Sequence, residues 1–387
     1  MKLAFGHHRN FLHQGETRPG TFGLHTAAEN IALSLEAETG SIEQLGPLRN
    51  IPSPAAALRI LAGRKPRAQK YYDWAEPSLS RNYGRQMARK LKYSDTDVVL
   101  CNETKHAAYL HTDRKVVLWT DTLYGGIFDY YQTFSNLCRR TRSNLQQMDR
   151  AVVENCDLLV FASDWASQNA IRLYNADPQK VKTIPYGANF TSEMTRSEAE
   201  ELVEKKSFNG PCRLLFAGVE WKRKGGDIAI RIVENLISQG IPAEITFLGT
   251  DPTKHMDSIP EFVTCAGFLS LSKPDELAKM KQLYRDAHFL LQPCRAECFG
   301  HIFPEANSFA LPAIASNTGG IPTAIHDGIN GYCVDVEDVG AYVHRIAELF
   351  QHPERYRELA LNAFDDYHSR LSWKKSAQTL ALALENL

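Results

Sequence analysis

The sequence predicts an α/β chain of two domains, each a parallel sheet crossed by helices. Three observations carry that prediction. Short β-rich runs alternate with helical patterns along the chain, the order expected of strand–helix–strand crossovers. At 387 residues the chain exceeds one ordinary core and suits two. A polar stretch from Asn189 to Pro211 separates the two series and ends in Asn209-Gly210-Pro211, a turn signal.

In the first series the apolar runs at 2–6, 97–102, 115–121, 157–163 and 181–186 read as strands. Helical periodicity falls at 23–39, 78–91, 127–155 and 167–174. In the second series the strands are 213–218, 244–249, 263–268, 288–292, 313–316 and 331–334, with helices starting near Gly226, Lys273, His301, Gly320 and Asp338. A last amphipathic helix follows Ser372, a suitable N-cap. The domains are therefore expected at 1–195 and 208–368, followed by a terminal helix over 369–387.

Composition narrows the class. Apolar content of 43% and charged content of 23% describe a globular protein, and a net charge of −1 gives no global attraction to nucleic acid or membrane. Eight cysteines are scattered, several inside apolar runs such as Val99-Leu100-Cys101. With no signal-peptide pattern and no bilayer-length apolar run, a cytoplasmic setting with reduced thiols is expected. Cys294 and Cys298 lack a second Cys/His pair, so no metal is expected there.

The segment with the most chemistry is Glu297-Cys298-Phe299-Gly300-His301-Ile302-Phe303-Pro304-Glu305, followed by Asn317-Thr318-Gly319-Gly320. It places two carboxylates around a glycine that follows an apolar strand and precedes a helix. Strand, glycine loop, then helix directs backbone N–H groups at one spot, which suits a phosphate. A Glu near a helix start is also an ordinary dipole partner, which accounts for Glu305 alone but not for the whole segment.

From Leu290 to Gly331 the chain resembles the donor-site signature of retaining family 4 glycosyltransferases (glycosyl transferases group 1) of the GT-B fold. The resemblance implies two Rossmann-like domains facing a cleft, with the second binding a UDP- or GDP-linked sugar and the first an acceptor hydroxyl, lipid-linked acceptors included. It implies that Glu297 faces the donor sugar, that Glu305 holds the ribose, and that amides at Phe299, Gly300, His301 and Ile302 meet the diphosphate. Gly218 and Phe268, at the ends of two predicted strands, count as further donor contacts. The resemblance also implies that no cofactor or divalent ion is required, and that the terminal helix returns to the first domain.

Cations aimed at the diphosphate would stabilise the leaving charge. Phe216-Ala217-Gly218-Val219-Glu220-Trp221-Lys222-Arg223-Lys224-Gly225-Gly226 supplies them, and Lys224 matches the family's phosphate-binding Lys. The usual Arg position falls on Val219 or near Glu220, so Lys222 or Arg223 is expected to substitute. Cations at a helix start oppose its dipole, which favours a functional reason for them over a solvated turn.

In the first domain Asp121 ends an apolar strand and is the candidate for orienting the sugar; an Asp there is also a common turn residue. Gly15, Gly20 and Gly23 form a glycine-rich loop after the first strand, where the family approaches the donor phosphate, so Gly20 is a candidate contact. His7, His8, Arg9 and His13 lie in the same region without metal-ligand spacing and are expected to be polar lining. Residues 59–92 are rich in Arg and Lys with interleaved Tyr and Trp. No nucleic-acid motif accompanies them, which leaves a solvated helix face, or docking to anionic lipid at the inner membrane face or to a charged acceptor.

The resemblance thus implies a metal-independent retaining hexosyltransferase. Its rivals are a sugar-nucleotide epimerase or a phosphorylase on the same fold, and a non-catalytic sugar-nucleotide-binding protein.

Overall fold

The computed structural model describes residues 1–9, 24–63 and 68–387. Contacts divide the chain into two units, one built on residues through Ile184 together with Ala377–Leu387, the other on Pro185–Ser376.

The described residues of the first unit form six strands: β1 (Leu3–Gly6), β2 (Ile42–Gln44), β3 (Val98–Cys101), β4 (Lys115–Thr120), β5 (Leu158–Phe161) and β6 (Val181–Thr183). They pair in the order β2-β1-β3-β4-β5-β6, and every pairing is parallel. β1, β3 and β5 are buried along their whole length, because crossover helices cover both faces of a parallel sheet. That is why these strands appear in the sequence as continuous apolar runs.

The second unit repeats the plan with β7 (Cys212–Gly218), β8 (Ala243–Gly249), β9 (Val263–Gly267), β10 (Phe289–Gln292), β11 (Ala313–Ser316) and β12 (Gly331–Val334). Their order is β12-β11-β10-β7-β8-β9, again parallel throughout. In both sheets the first strand in sequence lies between neighbours reached by connections running in opposite directions. β1 sits between β2 and β3, and β7 between β8 and β10. The loops leaving such strands part from one another and open a crevice at the carboxyl edge.

All eleven expected strands form. β2 was not foreseen, since Ile42-Glu43-Gln44 is short and carries two polar residues at the sheet edge. The helical pattern over 127–155 breaks into two helices, Tyr124–Ile127 and Arg139–Asn155. Asp149 lies buried on the second and accepts hydrogen bonds from the amides of Tyr124 and Gly125 at 3.1 and 2.8 Å, which ties down the start of the first.

The polar stretch 189–211 is also more than a linker. Thr195 caps a helix, Arg196–Glu204, through a reciprocal capping box with Glu198. Asn189 and Ser192 hydrogen-bond to Glu305 and Ser308. These bonds place residues 185–195 with the second unit rather than the first. A helix over Pro353–Arg370 was not foreseen either. Ser372 accepts from the Lys375 amide at 3.3 Å at the start of the last helix, Trp373–Glu385. No helix among the described residues is long and apolar enough to cross a membrane.

Candidate functional site

The site in the second unit is assembled by the loops leaving β7 and β10. β7 ends at Gly218, and a one-turn helix, Trp221–Lys224, follows. Gly225 then turns the chain in the left-handed region, φ +81°, and Gly226 opens the next helix. An added Cβ at Gly225 would lie 2.0 Å from the Pro293 carbonyl oxygen, so the turn requires glycine. This geometry revises the expected opposition between the cations and a helix dipole. Lys222, Arg223 and Lys224 occupy the last turn of a short helix rather than the start of a long one, where the dipole favours positive charge.

From β10, Gln292 anchors the second loop by donating to the Ala217 carbonyl at 2.5 Å. The Arg295 amide donates to the Arg223 carbonyl at 2.8 Å, which ties the two loops together. Glu297 follows, held through its carbonyl by the Gly320 amide at 2.9 Å. Its Oε2 accepts from Lys224 Nζ at 2.5 Å and from Arg223 Nη1 at 3.1 Å. Burial works to raise the carboxyl's pKa, but the charges of Lys224 and Arg223 outweigh it and hold Glu297 at about 2. Arg223 also reaches the Ala296 carbonyl and Glu220.

Lys222 is not brought to this pair. It is exposed and bonds Asp227 at 2.7 Å, a partner it shares with Arg295. Of the two proposed substitutes for the missing Arg, the structure therefore brings Arg223 to the site.

Gly300 again needs its freedom, with φ +90° and an added Cβ 2.6 Å from the Phe303 ring. Phe299 is buried beside it, and the helix Ile302–Ser308 begins two residues on. His301 donates Nδ1–H to the Gly187 carbonyl at 3.0 Å, and its ring stacks on Tyr186 with centroids 5.3 Å apart. Burial lowers its pKa, so the ring is neutral at pH 7.

Glu305 lies in the first turn of that helix, earlier than the turn and a half expected, because the helix starts only at Ile302. Its oxygens accept from Asn189 Nδ2 at 2.9 Å and Tyr284 Oη at 3.1 Å. Burial pushes its pKa up to about 7, against the pull of these donors. The two carboxylates of the motif are thus shifted in opposite directions, Glu297 down by its cations and Glu305 up by burial.

Phe268 stands just past β9 at the sheet edge and is about half exposed, at 48%. In the first unit Asp121 follows β4, and its Oδ1 lies 3.4 Å from the hydroxyl of Thr120. Gly20 and its loop lie outside the described residues. Asn189, Tyr284 and Arg295 were missed by sequence reasoning. Asn189 was hidden in an apparent linker, and no local pattern marks Tyr284 or Arg295.

Residues 59–92, described except for 64–67, are partly occupied internally. Glu76 is buried and binds Arg59, Arg140 and Tyr71. Lys90 donates to the carbonyls of Leu45 and Gly46.

Residues 211–352 match the family described as Glycosyl transferases group 1. The chain is 27% identical over 247 residues to a D-inositol 3-phosphate glycosyltransferase of Corynebacterium kroppenstedtii, covering 60% of this chain and 54% of that protein. It is 26% identical over 243 residues to the enzyme of that name from Thermobifida fusca, covering 60% and 56%. The match spans about half the length of these curated relatives. Among solved structures, Anabaena Alr3699/HepE in complex with UDP superposes with a TM-score of 0.65 at 16% identity, covering all of both chains. WaaG, a glycosyltransferase involved in lipopolysaccharide biosynthesis, gives 0.63 at 16% identity over 98% of this chain and 99% of its own. Residues 211–352 thus resemble a glycosyl transferases group 1 domain, and the chain has the GT-B fold.

Proposed function

We propose that the protein is a retaining glycosyltransferase that moves a sugar from a nucleotide diphosphate donor to a hydroxyl acceptor. The observation that carries this reading is the joining of Lys224, Arg223 and Glu297 at the carboxyl ends of β7 and β10. Lys224 and Arg223 are a ready pair of cations for a leaving diphosphate, Glu297 orients the sugar, and Glu305 accepts the ribose hydroxyls. Lys222 belongs to the outer part of the basic turn. Support for a UDP-linked donor comes from the solved neighbour, whose complexes contain UDP and UDP-glucose. The cations of this chain suit a diphosphate without a required divalent ion, and attack on the same face, assisted by the leaving phosphate, follows from the family. Asp121 is assigned to sugar orientation and the first unit to the acceptor, with lipid-linked acceptors included.

Residues 59–92 are assigned to contact with an anionic membrane surface. The neighbouring helix Pro54–Gly63 exposes Leu58 and Leu61, 70% and 60% accessible and one turn apart, which supports that reading.

The test is a thermal-shift panel of UDP- and GDP-sugars followed by turnover assays. A bound donor raises stability by mass action. No shift with any nucleotide sugar would overturn the reading. Val219, at the usual Arg position, favours a second reading as a non-catalytic binder; a strong shift with no turnover over a broad acceptor panel would select it.

A further inference from the structure

The first unit carries a second cluster at the matching place in its own sheet. β1 ends at Gly6, and His7 and His8 follow. β3 ends at Cys101, and Glu103 leads into the short helix Thr104–Ala107, which carries His106. β1 lies between β2 and β3, so these residues flank the carboxyl-edge crevice where open α/β sheets bind ligands. The ligand atoms of His7, His8, Glu103 and His106 all lie within 4.8 Å of one another.

His8 Nδ1 is hydrogen-bonded to His106 Nε2 at 3.1 Å and lies 3.7 Å from Glu103 Oε1. A tetrahedral zinc ion with bonds of about 2.0–2.1 Å sets neighbouring ligand atoms roughly 3.3 Å apart, so these two separations are close to the required length. His7 plays another part. Its Nδ1 accepts from the Arg9 amide at 3.0 Å, which leaves the proton on Nε2 to be donated to Glu103 Oε1 at 3.1 Å. Lys105 takes the other oxygen, Oε2, at 2.7 Å. The carboxylate is thereby oriented from two sides, as outer groups orient metal ligands.

We propose that this cluster is a zinc-class metal site with His8 Nδ1, His106 Nε2 and Glu103 Oε1 as ligands and His7 as a positioning residue. Two imidazoles and a carboxylate are a donor set that zinc takes in open sites. The sequence conceals the site because His7 and Glu103 are 96 residues apart, and His8 and His106 98.

The experiment uses the full chain, stripped with chelator and titrated with Zn²⁺ alone by calorimetry, then loaded with Co²⁺ for visible spectroscopy. One equivalent of zinc and the intense bands of four-coordinate cobalt are expected. His8→Asn and Glu103→Gln should each weaken zinc binding by more than about 100-fold, and His7→Asn by the roughly 10- to 100-fold of an outer group. Cys265→Ser, which removes an exposed thiol elsewhere, should change nothing. Absence of stoichiometric zinc, undiminished binding in His8→Asn, or loss only in Cys265→Ser would overturn the proposal. Circular dichroism melts report folding, and His8→Asn, at a partly exposed side chain, decides the matter if Glu103→Gln does not fold.

Discussion

Lys224 Nζ lies 2.5 Å from Glu297 Oε2, and both side chains are buried at the ends of adjacent strands β7 and β10. The ammonium that would meet a diphosphate is thus neutralised and positioned by the carboxylate assigned to the sugar. Lys224→Ala should lower turnover about a hundredfold or more, on the scale of a lost oxyanion donor. Binding of the nucleoside monophosphate, which lacks the outer phosphate, should barely change. Steady-state kinetics and calorimetry check both, and wild-type turnover in Lys224→Ala would remove the phosphate clamp. Arg223→Ala should fall in the same range, because Arg223 is the second cation on Glu297.

Glu305 supplies a pH prediction. Burial raises its pKa from 4.5 to about 7 in the ligand-free protein, whereas accepting ribose hydroxyls favours the carboxylate. Donor binding should therefore release a proton below pH 7, and affinity should rise with pH before levelling above it. Stability should move the other way. Between pH 4.5 and about 7 the folded state holds the proton that the unfolded state has lost, so unfolding free energy falls by up to about 1.4 kcal/mol per pH unit. Glu305→Gln should flatten both profiles and weaken donor binding by about ten- to a few-hundredfold, from lost charge-assisted hydrogen bonds of roughly 1.5–3 kcal/mol each. Calorimetry in buffers of different ionisation enthalpy counts the protons; none released by the wild type would refute the ribose role.

Gly225→Ala tests the turn between the two helices. With φ +81° and an added Cβ 2.0 Å from the Pro293 oxygen, the variant should lose about 1–3 kcal/mol from backbone strain alone. The forced shift should also disturb Arg223 and Lys224, so turnover should fall in the fraction that remains folded. Gly240→Ala is the control, since its φ is also positive, +79°, but nothing lies within 4 Å of an added Cβ. Equal losses in the two variants would mean that contact with Pro293 is unimportant.

The membrane assignment predicts salt-sensitive binding to anionic vesicles, at about 1 kcal/mol per basic residue near the surface. Replacing Arg64, Lys65, Arg67 and Lys70 with Ser should abolish co-sedimentation without altering donor affinity. Leu58→Ser with Leu61→Ser should weaken it while leaving the salt dependence in place. Equal sedimentation with neutral and anionic vesicles would return the stretch to an ordinary solvated face.

The sequence by itself determined the two parallel sheets and the glycine-centred segment from Glu297 to Glu305, because both are written locally. Strands such as β3 and β10 are buried on both faces, so they appear as unbroken apolar runs. The loop and helix around Gly300 occupy one contiguous segment. Tertiary structure decided which charges meet. Lys224 and Glu297 are 73 residues apart, and His8 and His106 98; each pair is joined only because β7 pairs with β10 and β1 with β3. The same holds for Asn189, which reaches Glu305 across 116 residues from a stretch that reads as linker. Periodicity records which face of an element is covered, but not which strand will lie beside it, and the ionisation of a buried side chain depends on that neighbour.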